Sequence, residues 1–199
     1  MPERTADLSV IVLAGGEATR LPGKLSLAAG ELPMLARVYH NVRPGRATVL
    51  SGKGPLPPEL AALIDAPVIV DRWPLRGPLS GLLSTMSELR TPYVFAVAGD
   101  APFIDAAFID RLDAARRPGD EAIVPYRRIA DHRSIEPLAA IYARDAFVRE
   151  GLPLLLAGNG ALRAVIDRLR TRWIEIDDER AFANVNTPAD YAAVRKVLA

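Results

Sequence analysis

The sequence predicts an α/β fold with a mostly parallel central sheet and helices on both faces. Two observations carry this. Four short runs, LSVIVL (8–13), ATVLS (47–51), APVIVD (66–71) and YVFAVAGD (93–100), are rich in Val and Ile and apolar nearly throughout. Strands with that pattern are buried on both faces, as in parallel sheets. Helix-like stretches separate the runs, and strand–helix alternation implies right-handed βαβ units.

The helices carry start signals. Pro33 opens LPMLARVYHNV, Pro57–Pro58 open PPELAALID, and Pro78 opens PLSGLLSTMSELR over 78–90. Proline suits a first helical turn, where its missing N–H has no partner to lose. Leu79, Leu82, Leu83, Met86 and Leu89 give the third helix an apolar face. The C-terminal half is less regular. AIVPY (122–126) and PLAAIYA (137–143) read as strands around a polar turn, RRIADHRSIE. Helices are expected over 144–156 and 160–170, then a strand at RWIEI (172–176). TPADYAAVRKVL closes as a helix, with Thr187 as N-cap, Pro188 at the first position and Asp190 in the first turn.

The 199 residues, half of them hydrophobic, suffice for one domain spanning 1–199 with a sizeable core. The formal net charge of +1 gives no basic field for nucleic acid, so anion binding must rest on local clusters. With no cysteine, disulfides and thiolate chemistry are excluded. The two histidines, His40 and His132, have no ligand spacing, which leaves a hard cation on carboxylates as the metal of choice. The polar start MPERTADLS and the lack of a spanning run predict a soluble, cytoplasmic chain without membrane attachment.

In open α/β sheets, ligands bind outside the carboxyl ends of the strands. Four segments fall there: AGGEATRLPGK, SGK, DRWPLRGP and GDAPF. Gly15 and Gly16 let backbone N–H groups approach an anion, Arg20 offers a bidentate fork, and Lys24 adds a point charge. A tight turn with solvated basic residues is the competing reading; the cations tip the balance to phosphate. The spacing is neither a Walker A loop nor GxGxxG. Asp100, ending an apolar strand, is costly there unless paired or metal-bound, and Mg²⁺ bridging phosphates would suit it. Its competing role is a turn or cap before Pro102. Asp71 ends another strand, and Gly77 and Gly81 flank the next helix start. Trp73 and Trp173 are expected to pack, and the arginine pairs at 116–117 and 127–128 and His132 to be solvated.

VLAGGEATRLPGK resembles the N-terminal signature of nucleotidyltransferases, and within them that of the molybdenum cofactor guanylyltransferases. GELPML (30–35), VDRWPLRGPLSGL (70–82), VAGDAPFI (97–104), EPLAAIYA (136–143) and FANVNTPADY (182–191) extend the resemblance over nearly the whole chain. It implies a Rossmann-like nucleotidyltransferase fold that transfers GMP from GTP to molybdopterin with Mg²⁺. It also implies that Leu13, Ala14, Gly15 and Gly16 contact the nucleotide, Lys24 reaches its phosphates, Asp71 contacts the guanosine side and Asp100 binds Mg²⁺. Arg20, Lys24 and Asp100 would form the catalytic set. Asn186, Thr187 and Pro188 would shape the pterin side, and molybdoenzyme maturation proteins would be partners. The chain departs from the family in RLPGK, one residue shorter and without an acidic residue before the lysine, and in Lys53, where Asn is frequent. Cytidylyl transfer, another small-molecule nucleotidyl transfer, and non-catalytic nucleotide binding remain alternatives.

Overall fold

The computed structural model describes residues 7–15, 20–73 and 77–198. Six strands and their helices make the first layer of the architecture: β1 (Leu8–Leu13), β2 (Ala28–Ala29), β3 (Leu32–Pro33), α1 (Met34–Val42), β4 (Thr48–Gly52), α2 (Pro58–Ala61), β5 (Val68–Val70), α3 (Pro78–Met86), β6 (Tyr93–Ala98) and α4 (Ala106–Ala115). The second half adds β7 (Ala122–Ile129), β8 (His132–Ile135), β9 (Ala139–Ala143), α5 (Arg144–Leu156), α6 (Leu162–Ile166), β10 (Thr171–Glu175) and α7 (Pro188–Leu198).

The main sheet has the order β10–β7–β9–β6–β1–β4–β5, with β8 paired to β7. β5, β4, β1 and β6 run parallel, β9 is antiparallel to both β6 and β7, and β10 is parallel to β7. The expected mostly parallel sheet is therefore present. The chain steps outward from β1 to β4 and β5, then returns to β6 on the other side of β1. That reversal opens a crevice at the carboxyl ends of β1 and β6.

Burial on both faces explains the apolar strands. All six residues of β1 are buried. One core layer joins Val10, Val12, Leu35, Val38, Phe95 and Val97 beneath α1 and α4. The other joins Ile11, Leu79, Leu82, Ala96, Tyr142 and Phe147 beneath α3 and α5. α3 lies between the sheet and α5, so even its Ser80, Ser84 and Thr85 are buried. Trp73 and Trp173 pack against this second layer, as expected. A small third cluster, Ala29, Met34, Val185 and Val194, seats α7 against the β2–β3 ribbon.

Several expected elements are shorter. The helix after Pro57–Pro58 lasts only through Ala61, and the one expected over 160–170 covers Leu162–Ile166. α3 stops at Met86 rather than at 90. The segment read as a polar turn, RRIADHRSIE, is mostly strand: β7 continues to Ile129 and β8 returns from His132, with Ala130 at φ +50° in the two-residue connection. Its charged residues hid the alternation, because a hairpin standing beyond the sheet has no core face to fill. Arg116 is likewise no solvated charge. It is buried in a bidentate pair with Asp7 and stacks on Tyr93, 3.9 Å from the ring centroid.

β1 and β6 meet most tightly at their ends. Gly99 N–H donates to the Leu13 carbonyl at 3.0 Å, and a Cβ at Gly99 would lie 2.8 Å from that oxygen and 2.9 Å from Leu35 Cδ1. Gly99→Ala should therefore push the two strand ends apart and lower stability by about 1–3 kcal/mol, the range for overpacked sites. Urea denaturation measures it; an unchanged midpoint would show that the junction yields freely.

Candidate active site

The crevice between β1 and β6 collects most of the residues singled out by sequence. Leu13 is buried in the core with its carbonyl bonded to Gly99, and Ala14 N–H donates to the Ser51 carbonyl at 2.7 Å. Those groups belong to the sheet, so a ligand meets the loop from Gly15 onward. A Cβ at Gly15 would find only ordinary contacts, Gly52 Cα at 3.7 Å and Lys53 Cγ at 3.9 Å. Protein packing does not demand glycine there, whereas close approach by a ligand would. Gly16 lies outside the described residues. Lys53 is exposed beside Gly15.

The shortened loop has a definite geometry. Lys24 N–H donates to the Leu21 carbonyl at 3.3 Å across Pro22 and Gly23, and Gly23 has φ +70° and ψ 13°. Proline then glycine at the two central positions is the signature of a type II turn. The turn aims Lys24 into the crevice. Its ammonium pairs with Asp100 Oδ2 and donates to the Val185 carbonyl and to Asn186 Oδ1, both at 3.1 Å. Three donors meet three oxygens.

Asp100 is only 7 % exposed, so its charge needs this partner. It does not cap α4: Asp105 does, accepting from Phe108 N–H at 2.8 Å. The backbone of Asp100 also holds the far segment, since Val185 N–H donates to its carbonyl at 3.0 Å. Asn186 thus meets the ammonium that pairs with Asp100. Arg20 is exposed and lies toward the start of α7, where its charge adds to the effects that hold the Asp190 carboxyl below its usual range. Lys24 and Arg20 therefore serve different neighbours in this structure.

Asp71 occupies a separate position at the end of β5. Its Oδ1 accepts from Ser80 Oγ at 2.6 Å, Ser84 Oγ at 2.9 Å and Trp73 N–H at 3.1 Å. The serines sit on successive turns of α3, four apart, which places both hydroxyls on one face. Gly81 between them permits close packing: a Cβ there would lie 2.6 Å from Ser51 Oγ. Sequence reading missed Ser80 and Ser84 because their spacing lay inside an apolar helix and looked like core. It also missed Glu136 and Asn184. Glu136 Oε2 accepts from Asn184 Nδ2 at 2.8 Å, and Oε1 from Leu138 N–H at 3.2 Å. Burial pushes the Glu136 carboxyl up, the two hydrogen bonds oppose that, and the Asp100 charge adds to it.

The oxygens around the Lys24 ammonium, a carboxylate, an amide carbonyl and a backbone carbonyl, are hard donors of the kind Mg²⁺ accepts. Among the described residues no trio of His, Cys, Asp or Glu converges. A magnesium ion here would lean on Asp100 and on ligand phosphates, its usual arrangement in phosphoryl sites. Among the described residues no helix is long and apolar enough to cross a membrane.

Comparison with known proteins identifies relatives of the whole chain and of its fold. The family described as the MobA-like NTP transferase domain matches residues 10–173. A molybdenum cofactor guanylyltransferase from Burkholderia lata is 33% identical over 195 residues, 94% of this chain and 94% of its own. The crystal structure of molybdopterin-guanine dinucleotide biosynthesis protein A from Archaeoglobus fulgidus superposes with a TM-score of 0.78 at 22% identity, covering 95% of this chain and 97% of that one. A 2-C-methyl-D-erythritol 4-phosphate cytidylyltransferase from Thermus thermophilus shares the fold, with a TM-score of 0.76 at 16% identity and coverage of 96% and 98%.

The segment that carries Asn186 is fixed by a reciprocal cap. Asp190 Oδ2 accepts from Asn186 N–H at 3.0 Å and Thr187 N–H at 2.8 Å, while Asp190 N–H donates to Thr187 Oγ1 at 3.2 Å. Asp190→Ala should cost about 1 kcal/mol at neutral pH, as for a lost cap. The Asn186 N–H bond first, then Thr187, holds the Asp190 carboxyl low. Its contribution is therefore complete above the ordinary aspartate value of about 3.9 and is lost as pH falls through the depressed one. Thermal melts of wild type and variant should converge as pH falls through that depressed value; a gap that persists in acid would contradict this cap.

Proposed function

The chain belongs to the MobA-like NTP transferase family, and from that premise we propose that it transfers GMP from GTP to molybdopterin, releasing pyrophosphate. The observation that carries the reading is the meeting of Lys24, Asp100 and Asn186 at the β1–β6 crevice, beside a loop whose Gly15 has room for a ligand. The likeness in sequence to guanylyltransferases over 94% of the chain supports guanine as base and molybdopterin as acceptor.

In this reading the nucleoside lies over the ends of β1, β4 and β5. Gly15 N–H borders its phosphates, with Leu13 and Ala14 supporting the loop from the sheet. Asp71, oriented by Ser80 and Ser84, faces the guanosine side, and Lys53 stands beside it. The Lys24 ammonium, held by Asp100, Val185 and Asn186, presents its charge to the triphosphate, and Arg20 adds charge at the loop's outer side. Asp100, with Asn186 next to it, would hold Mg²⁺, which supplies charge neutralisation to the phosphates when bound. A phosphate oxygen of molybdopterin forms the new bond to the α-phosphorus. The bond from that phosphorus to the bridging oxygen breaks, and pyrophosphate leaves. The attacking phosphate is already ionised at neutral pH, so no protein base is required. Positioning and electrostatics carry the catalysis. Asn186 and Thr187 border the acceptor side.

The reading is tested by pyrophosphate release with molybdopterin and Mg²⁺ and each of GTP, CTP, ATP and UTP. GTP should give the highest kcat/KM. A preference for CTP would reassign the base, and no release with any nucleotide would favour a binding role. Lys24→Ala should weaken GTP binding by roughly ten- to over a hundredfold, as expected for losing a charge-assisted contact of about 1.5–3 kcal/mol. GMP, which lacks the outer phosphates, should lose much less. Calorimetric titration of both nucleotides at fixed Mg²⁺ separates the cases, and equal losses would remove Lys24 from the phosphate site.

A further inference from the structure

Glu136 has no part in the reaction just described, yet it stands beside it. It lies between β8 and β9, where its N–H donates to the Pro125 carbonyl at 3.1 Å and its carbonyl accepts from Ala139 N–H at 3.3 Å. Direct pairing of β7 with β9 covers only Ala122 and Ile123, so β8 and the Glu136 turn carry that line of the sheet onward. The Glu136 side chain is thereby placed at the level of the Asp100 loop.

Its two oxygens are both engaged. One accepts from Leu138 N–H on its own loop, and the other from Asn184 Nδ2, 48 residues away in sequence. Asn184 begins the stretch that reaches the crevice. Val185 is fully buried, with its N–H on the Asp100 carbonyl and its own carbonyl on Lys24; the Asn186 side chain meets the same ammonium. Glu136–Asn184 is thus a side-chain tie from the central sheet to the residues that hold Lys24.

Packing alone does not account for a hydrogen-bonding side chain here. Half-buried oxygens at the level of the Asp100 loop cost desolvation, which an apolar side chain in the same place would avoid. We propose that Glu136 is a positioning residue for nucleotidyl transfer: by holding Asn184, it sets the Val185 carbonyl and the Asn186 amide against Lys24 and Asp100. The inference rests on the proposed transfer reaction and deepens it by naming what orders its acceptor-side segment.

The test uses the full chain with GTP, molybdopterin and Mg²⁺. Glu136→Ala and Asn184→Ala should each lower kcat by about tenfold or more, the range for residues that orient site ligands. The KM for GTP should stay within about threefold, because the nucleotide lies over the other strands. The double variant should be no worse than the poorer single one, since both remove one shared contact. Glu136→Gln should recover most of the rate. Its carbonyl accepts from Leu138 N–H, and its amide donates to the Asn184 oxygen once that amide turns over. The Gln variant should melt no lower than wild type, because a half-buried charge is gone. Three results would overturn the proposal while leaving the transfer reading intact: kcat of Glu136→Ala within twofold of an active wild type, independent losses in the double variant, or no recovery in a fully folded Gln variant. A wild type that releases no pyrophosphate with any nucleotide would overturn the reading and the proposal together.

Discussion

A strand buried on both faces can offer polar chemistry only at its ends. β1 and β6 are such strands, and their hydrogen-bonded contact places two chain reversals side by side. Gly99 admits the closest part of that contact, with its N–H on the Leu13 carbonyl. The loops that leave there must turn away from the sheet, and each carries a charged residue, Lys24 from one and Asp100 from the other. Neither would be stable alone so near the core. Their pairing satisfies both and leaves the crevice organised around one cation and its oxygens.

That arrangement links distant stretches of sequence. Lys24 reaches residues 100, 185 and 186, and the last two are tied back through Asn184 to Glu136. The third small core, under α7, seats Val185 and gives the segment a fixed base. The Thr187–Asp190 cap then starts α7 directly after Asn186. The side chain nearest the crevice is thus held between a buried anchor and a helix start, with little freedom to drift. In the proposed reaction the same segment borders the acceptor, which gives its ordering a direct bearing on rate.

The two halves of the sheet divide the work. The parallel half, β5–β4–β1–β6, supplies a glycine loop, a carboxylate held by serines, and the Asp100 loop. The other half carries the antiparallel β9 and the β7–β8 hairpin, whose arginines find aromatic and acidic partners: Arg127 stacks on Phe182, 5.7 Å from the ring centroid, Arg133 lies 5.0 Å from the Tyr126 centroid, and Arg128 shares Glu175 with the Tyr126 hydroxyl. A parallel half alone would leave the β6 edge open; β9 covers it and brings Glu136 to the crevice.

The sequence by itself determined the parallel core, because a Val- and Ile-rich run without polar alternation has few other places to go. It also determined the cap at Thr187 and the turn at Pro22–Gly23, whose signals are local. Lys24, Asp100 and Asn186 were legible individually as charged or polar residues at strand ends and in a known motif. That they share one set of oxygens was decided by tertiary structure, since residues 24, 100 and 186 have no relation in sequence that spacing could reveal. Ser80, Ser84 and Glu136 were likewise invisible. A buried hydroxyl or carboxylate differs from a surface one only through its neighbours, and those neighbours come from other strands and helices. The hairpin at 127–135 was hidden for the opposite reason: strand pairing there is backbone hydrogen bonding, which leaves no mark in side chains that face solvent.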